Sequence, residues 1–259
     1  HSDLRRQRQM CIRDRDNTPV GCIAAVTYNP DYAFIGLFVV KPEHRGQGIG
    51  RRLWQHALKT LSGVQCIGLE AAVQMVGFYE RAGFQKDCIT TRRQMLFRSE
   101  ATLDLNPIQR SDVAVVPLRE VSLDAIQRYD ERHEISPRPH FLELWLRHRA
   151  GDVFAARDAE GECHGYVRIR PCLLPIGEGW RVGPWLAEDP GMASLLLNNA
   201  LDHHNGVVLI DTPGHNPSAK TILSARGFKP MTSTVRMYKG LIPKGHDRNV
   251  YGLACLELG

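Results

Sequence analysis

Phe38-Val-Val-Lys-Pro-Glu-His-Arg-Gly-Gln-Gly-Ile-Gly-Arg-Arg-Leu53 is the stretch on which the fold turns. It opens on the end of an apolar run, Ala33 to Val40, of strand length. Such a run suits a strand covered on both faces. Pro42 stops the ladder, because it lacks a backbone donor. From Ile49, apolar residues fall at Leu53, Trp54, Ala57, Leu58 and Leu61, which is helical spacing. Arg45-Gly46-Gln47-Gly48-Ile49-Gly50 thus joins a strand to a helix N-terminus. The first N–H groups of a helix are unpaired and sit at the positive end of its dipole, so they receive phosphate readily. Three glycines let a pyrophosphate approach the backbone, and Arg45 adds a planar cation. A dinucleotide loop would read G-x-G-x-x-G directly after the strand, whereas here the spacing is G-x-G-x-G and five residues intervene. A P-loop would need Gly-Lys-Ser/Thr, which is absent.

Outward from this segment, turns at Thr18-Pro19 and Asn29-Pro30 bound a strand from Val20 to Tyr28. Downstream come a strand from Cys66 to Val73, a short helix from Met75 to Arg81 closed by Gly83, and a strand from Asp87 to Phe97. The pattern changes around Ala101 to Pro107, where a domain boundary is placed. A second unit follows, with strands at 113–118, 153–157, 163–170, 179–186, 207–211, 229–238 and 250–258. Its helices are expected at 123–132, 141–149, 192–203 and 218–225. Both units run strand, helix, strand, short helix, Gly-Phe, strand, with Gly83-Phe84 and Gly227-Phe228 at corresponding points. They read as two copies of one architecture.

The segment from Phe38 to Leu53 resembles the coenzyme A signature of the GCN5-related N-acetyltransferase family, Gln/Arg-x-x-Gly-x-Gly/Ala after a strand. Gly77-Phe-Tyr-Glu-Arg-Ala-Gly-Phe84 is similar to that family's second motif, at the expected distance. The resemblance implies an α/β (α+β) fold of two tandem domains, each a mixed, mostly antiparallel twisted sheet flanked by helices. It also implies acetyl-CoA as co-substrate and direct attack of an amine on the thioester in a ternary complex. Phe38, Val39 and Val40 match the strand whose backbone meets the pantetheine arm. Arg45, Gly46, Gln47, Gly48, Ile49 and Gly50 match the pyrophosphate loop, and Tyr79 the tyrosine that protonates the departing thiolate. Glu70 is the candidate for a base working through water. Many members carry an Asn seven residues before the tyrosine; here it is Ala72, with Gln74 nearby.

The second copy reverses this. Asn216 stands seven residues before Leu223, which takes the tyrosine position. Ala187-Glu188-Asp189-Pro190-Gly191 has no arginine and no glycine loop, and its acids would repel a pyrophosphate. The resemblance is therefore to tandem members with a degenerate second domain, here 104–259. Trp180, Trp185 and His215 are possible lining residues of an acceptor pocket, with core packing the plainer role for the tryptophans. The family's fold opens with a strand, two helices and another strand before Val20, and the first domain, 17–100, lacks them, so an N-terminal truncation is expected. Residues 1–16 are arginine-rich, and Cys11-Ile-Arg-Asp-Arg15 shows no strand alternation. They are read as a disordered or foreign leader.

Composition excludes little else. Residues 17–100 carry ten Lys or Arg against six Asp or Glu, which suits a polyanionic ligand but is too modest for nucleic acid. Seven cysteines, odd in number and widely spaced, fit free thiols in a reducing cytoplasm. No cluster has metal-ligand spacing, so no metal is expected. No run of about 18 apolar residues occurs, so no membrane span is expected. The partners implied are a small-molecule or protein amine, in a monomer or homodimer. The competing reading is a non-catalytic acyl-CoA sensor; a dehydrogenase is a distant third.

Overall fold

The computed structural model describes residues 7–13, 17–97, 112–175, 177–202, 204–242 and 248–259. The chain forms two units. Unit 1 comprises His1–Asp87, Val235–Pro243 and Leu256–Gly259; unit 2 comprises Cys88–Thr234 and Lys244–Cys255. The boundary expected around Ala101 to Pro107 lies outside the described residues. What the linear reading could not see is that residues from the far end of the chain belong to unit 1.

In unit 1, β1 (Gln7–Arg13), β2 (Pro19–Thr27) and β3 (Tyr32–Val40) are antiparallel neighbours. The side chain of Asn29 accepts from the backbone N–H of Asp31 (2.9 Å) and Tyr32 (3.0 Å), which closes the β2–β3 turn. β4 (Cys66–Ala72) pairs parallel to β3 after the crossover helix α1 (Ile49–Thr60). α2 (Val76–Arg81) follows, and the last stretch of β11 (Lys229–Gly240) lies beside β4. α1 buries Ile49, Leu53, Trp54 and Ala57, an apolar stripe at helical spacing. Each large side chain of this stripe contributes about 1.5–3 kcal/mol by leaving water. They pack on Ile23, Ala33, Ile35, Ile67, Leu69 and Met237.

The leader reading is corrected for residues 7–13. They form β1, with Cys11 exposed and Ile12 packed on the core. Pairing uses the backbone, so a strand at a sheet edge need not alternate visibly in sequence. Residues 1–6 and 14–16 lie outside the described residues.

Unit 2 orders its strands β5-β10-β9-β8-β7-β6, taking β5 (Gln85–Phe97) from Cys88 onward. The others are β6 (Val113–Pro117), β7 (Asp152–Asp158), β8 (Cys163–Leu173), β9 (Glu178–Ala187) and β10 (Gly206–Thr212). β12 (Val250–Gly252) is added on β9. Among the described residues β9 and β10 are the parallel pair, joined by α5 (Pro190–Leu201). The helices α3 (Leu123–His133), α4 (Pro139–Leu146) and α6 (Pro217–Ala225) complete it. Its core sets Leu196 and Leu197 of α5 against Val167, Ile169, Val182 and Ile210.

The repeated Gly-Phe pairs have a physical cause. α2 and α6 both end on a left-handed glycine, Gly83 (φ 87°) and Gly227 (φ 84°). In each, the following Phe N–H reaches back to the helix, Phe84 to the Tyr79 carbonyl (3.0 Å) and Phe228 to that of Leu223 (2.9 Å). Tyr79 and Leu223 therefore occupy equivalent positions. The strand expected over 250–258 ends at Gly252, after which Leu253 donates its N–H to the Asp211 carbonyl (2.9 Å) instead. Among the described residues no helix is long and apolar enough to cross a membrane.

Candidate functional site

β3 changes character half-way. Tyr32 to Ile35 are buried, as the continuous apolar run predicts. Beyond them, Leu37 and Val39 are 43% and 53% exposed. The cause is a bulge. Cys22 pairs with Val39 but Ala24 pairs with Gly36, so β3 carries an extra residue, and Leu37 sits at φ 51°. The parallel pairing with β4 stops at Ile35 and Leu69, although β3 runs on to Val40 and β4 to Ala72. Two parallel strands thus part, and β3 keeps one edge without a paired strand over Gly36–Val40 among the described residues. Phe38, Val39 and Val40, expected to meet a pantetheine arm, all lie on that edge.

The glycine loop follows directly. Pro42–His44 make one 3-10 turn, and Arg45 returns to donate Nε–H to the Val40 carbonyl (3.1 Å). Gly46 and Gly48 sit at φ 77° and 78° with open space where a Cβ would stand. Backbone conformation, not crowding, is what requires glycine at these two positions. Gly48 caps α1 with no side-chain hydrogen bond, and the first turn of α1 holds no acid. Its leading N–H groups are therefore left for an external acceptor. Buried Ile49 anchors the loop, while Arg45, Gly46, Gln47 and Gly48 are exposed.

Trp54, which the sequence reading assigned only to a helix face, connects these parts. Its ring lies 5.8 Å from that of Phe38, 5.4 Å from Tyr79, 5.5 Å from Phe78 and 5.9 Å from Phe84. Strand edge, glycine helix and second motif are thereby packed through one indole. Tyr79 is 7% exposed, and burial pushes its phenol pKa up. Among the described residues its hydroxyl has no hydrogen-bond partner.

Glu70 is placed differently from the expectation. Its side chain is 2% exposed, and Oε1 accepts from Nε of Arg236 at 2.7 Å. Burial opposes the Arg236 charge, but Tyr238, Glu70 and Tyr32 outweigh it and hold that pKa well above its ordinary value. Glu70 is thus a counter-ion of a buried guanidinium. Arg236 lies 166 residues away in sequence, and no spacing could have revealed it. Ala72 caps the short turn Val73–Met75 without a side-chain bond.

Unit 2 has the corresponding places filled. Asp189 caps α5 and accepts from the Met192 N–H (2.8 Å), so its carboxylate already occupies that helix start. β12 pairs with β9 at Trp185 and Leu186, on the edge left where β9 and β10 part. The Asn216 amide, which caps α6, also donates to the Val250 carbonyl (3.1 Å). Leu223 is fully buried, and so is Trp185, a core residue. Trp180 stacks on His204 with ring centroids 4.1 Å apart.

Comparison with known proteins gives the family. The model of the Acetyltransferase (GNAT) domain matches residues 126–252, and that of the Acetyltransferase (GNAT) family matches residues 1–84. The second match takes in residues 1–16, which the sequence reading set apart. The holothin acyltransferase of a Pseudoalteromonas species is 26% identical over 94% of this chain and 79% of its own. A peptidyl-lysine N-acetyltransferase of Salmonella typhimurium is 37% identical over 29% of this chain and 48% of its own. A candidate acetyltransferase from Pyrococcus horikoshii shares the fold with a TM-score of 0.75, at 24% identity over 95% of this chain and 78% of that one. A tandem GNAT protein from the clavulanic acid biosynthesis pathway does so with a TM-score of 0.64, at 16% identity over 90% and 83%. The reaction class these matches support is acyl transfer, and the family generally draws the acyl group from acetyl-CoA. The chain belongs to the GCN5-related N-acetyltransferase family, as a member with two such domains in tandem.

Proposed function

We propose that the protein is an N-acetyltransferase that moves an acetyl group from acetyl-CoA to an amine, with its site in unit 1. One observation carries the assignment: among the described residues, unit 1 combines a β3 edge without a paired strand with an open glycine cap, while unit 2 fills the same edge with β12 and the same helix start with Asp189. The Arg45–Gly50 loop holds the pyrophosphate through backbone N–H groups and the Arg45 cation. The Phe38–Val40 edge takes the pantetheine arm by strand-like hydrogen bonds.

The amine nitrogen attacks the thioester carbonyl, forming the C–N bond. The C–S bond then breaks, and the thiolate takes its proton from the Tyr79 hydroxyl. A free thiol has a pKa near ~8.5, so this donor accelerates the step without being indispensable. The amine's proton leaves to solvent water, since Glu70 is committed to Arg236, and water returns a proton to the Tyr79 phenolate. Glu70 positions β4 against β11 in this reading. Most of the rate then comes from orientation and from donors aimed at the developing oxyanion.

The acceptor is a small molecule or a protein amine, and a panel decides it. Purified protein with acetyl-CoA is tested by thiol release against small amines, amino acids and lysine peptides. Turnover with any member supports the assignment. Binding of acetyl-CoA with no turnover across the panel contradicts it and favours the second reading, a non-catalytic acyl-CoA sensor, to which the committed Glu70 also points.

A further inference from the structure

In unit 1, β1 and β2 set two cysteines against each other. Cys11 is the direct antiparallel partner of Cys22. Residues opposite one another in such a ladder point to the same face, with Cα atoms about 4.5 or 5.5 Å apart according to the kind of pair. A disulfide spans about 4.4–6.8 Å between Cα atoms, so either kind admits one. Both are free thiols here, Cys11 exposed and Cys22 half-buried. Their sequence neighbours Ile12 and Ile23 pack in the core with α1, so the two thiols share the other face of the sheet. Elsewhere the ladders set Cys66 against Tyr32, Cys163 against Arg157 and Cys172 against Gly179, where no second sulfur stands opposite.

Cys22 also serves the neighbouring strand. The bulge in β3 holds Leu37 at φ 51° and leaves its extra residue out of the ladder. The Cys22 thiol donates to the Leu37 carbonyl, with Sγ 3.3 Å from the oxygen. A thiol is a weak donor, but a disulfide sulfur has no proton to give. Oxidation of Cys22 therefore takes this donor from the bulge. Burial first, and then Cys11, push the Cys22 thiol pKa up, which leaves the more exposed Cys11 to attack first.

We propose that Cys11 and Cys22 form a reversible thiol–disulfide site whose oxidant is a small disulfide of the glutathione type, and that closing it releases the Leu37 carbonyl. The Cys11 thiolate attacks one sulfur of the small disulfide, whose S–S bond breaks and expels one thiolate. Cys22 then loses its proton to solvent and attacks the Cys11 sulfur, which expels the second thiolate. The two cysteines are oxidised by two electrons, and the small disulfide is reduced to two thiols. Leu37 stands immediately before Phe38–Val40, so on the reading above the donor edge loosens with oxidation; the disulfide forms whether or not that reading holds.

The test equilibrates the full chain with glutathione buffers of rising disulfide content, quenches by alkylation and maps peptides by mass. A Cys11–Cys22 cross-link is expected to accumulate and to disappear with dithiothreitol. In Cys22→Ser, Cys11 is expected to stop at the mixed disulfide with glutathione. Hydrogen exchange over residues 36–40 is expected to quicken roughly three-fold or more in the cross-linked chain. Cys22→Ser, whose hydroxyl keeps a donor for the Leu37 carbonyl, should hold the slow rate in both buffers. Cys22→Ala should show the fast rate in both. Cys11 and Cys22 recovered unlinked at the highest disulfide content, or exchange unchanged by the cross-link, overturns the proposal. Neither measurement uses acetyl-CoA, so failure here and failure of the acyl-donor assignment are read separately.

Discussion

Two side chains that the sequence paired as catalytic have different physical situations. Tyr79 is a buried phenol whose hydroxyl has no hydrogen-bond partner among the described residues, and burial raises its pKa. It therefore stays protonated above the usual tyrosine value near ~10, and the rate should show no loss of the acid through neutral and mildly alkaline pH. Tyr79→Phe is expected to lower kcat about 10- to 100-fold, at the low end of what general acids supply, with KM for acetyl-CoA unchanged. Steady-state kinetics of the folded variant checks this. Glu70 invites a sharper comparison. Glu70→Gln leaves Arg236 buried without its counter-charge and should cost about 3–5 kcal/mol of stability, while Glu70→Gln with Arg236→Met should recover most of it. Denaturant unfolding of both reads the stability, and activity reads the role. A stable double variant that turns over supports positioning; a stable but inactive one makes Glu70 the base. His164 of unit 2 bonds Glu188 through Nδ1 and Asp158 through Nε2, both at 2.8 Å. Burial alone would lower its pKa, but the bonds to Asp158 and Glu188 outweigh this and raise it. Its contribution to stability is complete below the unfolded value near ~6.5 and disappears as pH rises through the raised folded value. The hydrogen bond to His164 lowers the Asp158 pKa, so that group's share is lost only in acid. The thermal midpoint should thus fall as pH rises above the unfolded value near ~6.5, and His164→Gln should flatten that fall.

At the scale of elements, the glycine segment was legible because its residues act locally. Pro42 ends β3, left-handed glycines shape the loop, and α1 carries its apolar stripe on one face. Gly83-Phe84 and Gly227-Phe228 were readable for the same reason, since a helix stop is written in adjacent residues. What was not legible depends on chain segments far apart. The bulge at Leu37 is set by the β2 register, and the continuous apolar run gave no sign that its second half is half-exposed. β1 was passed over because an edge strand need not alternate visibly. The strand predicted over 250–258 stops at Gly252, where the Asp211 carbonyl claims the Leu253 N–H. Trp54 is the element-level joint of unit 1. Trp54→Ala should destabilise the protein by about 3–5 kcal/mol and also weaken acetyl-CoA binding, because β3, α1 and α2 lose their shared ring. Unfolding and titration together check it.

At the scale of the whole chain, two copies of one architecture have diverged by what occupies the gap between their parallel strands. Each copy sets an acid of the second parallel strand against an arginine of the neighbouring strand, Glu70 with Arg236 and Asp211 with Arg92. The sequence revealed the repeat and the family, but neither ion pair, because 166 and 119 residues separate the partners. It also pointed to Glu188 and Asp189 as repelling a pyrophosphate. In the proposed reading, Asp189, which caps α5, and β12, which covers the β9 edge, keep the donor out of unit 2. The central claim is therefore one acyl-donor site per chain, in unit 1. Calorimetric titration of the purified chain with acetyl-CoA tests it most directly. One equivalent should bind, and Arg45→Glu with Gly48→Asp should abolish binding while the fold is retained. Two equivalents, or binding undiminished in that double variant, would contradict the account.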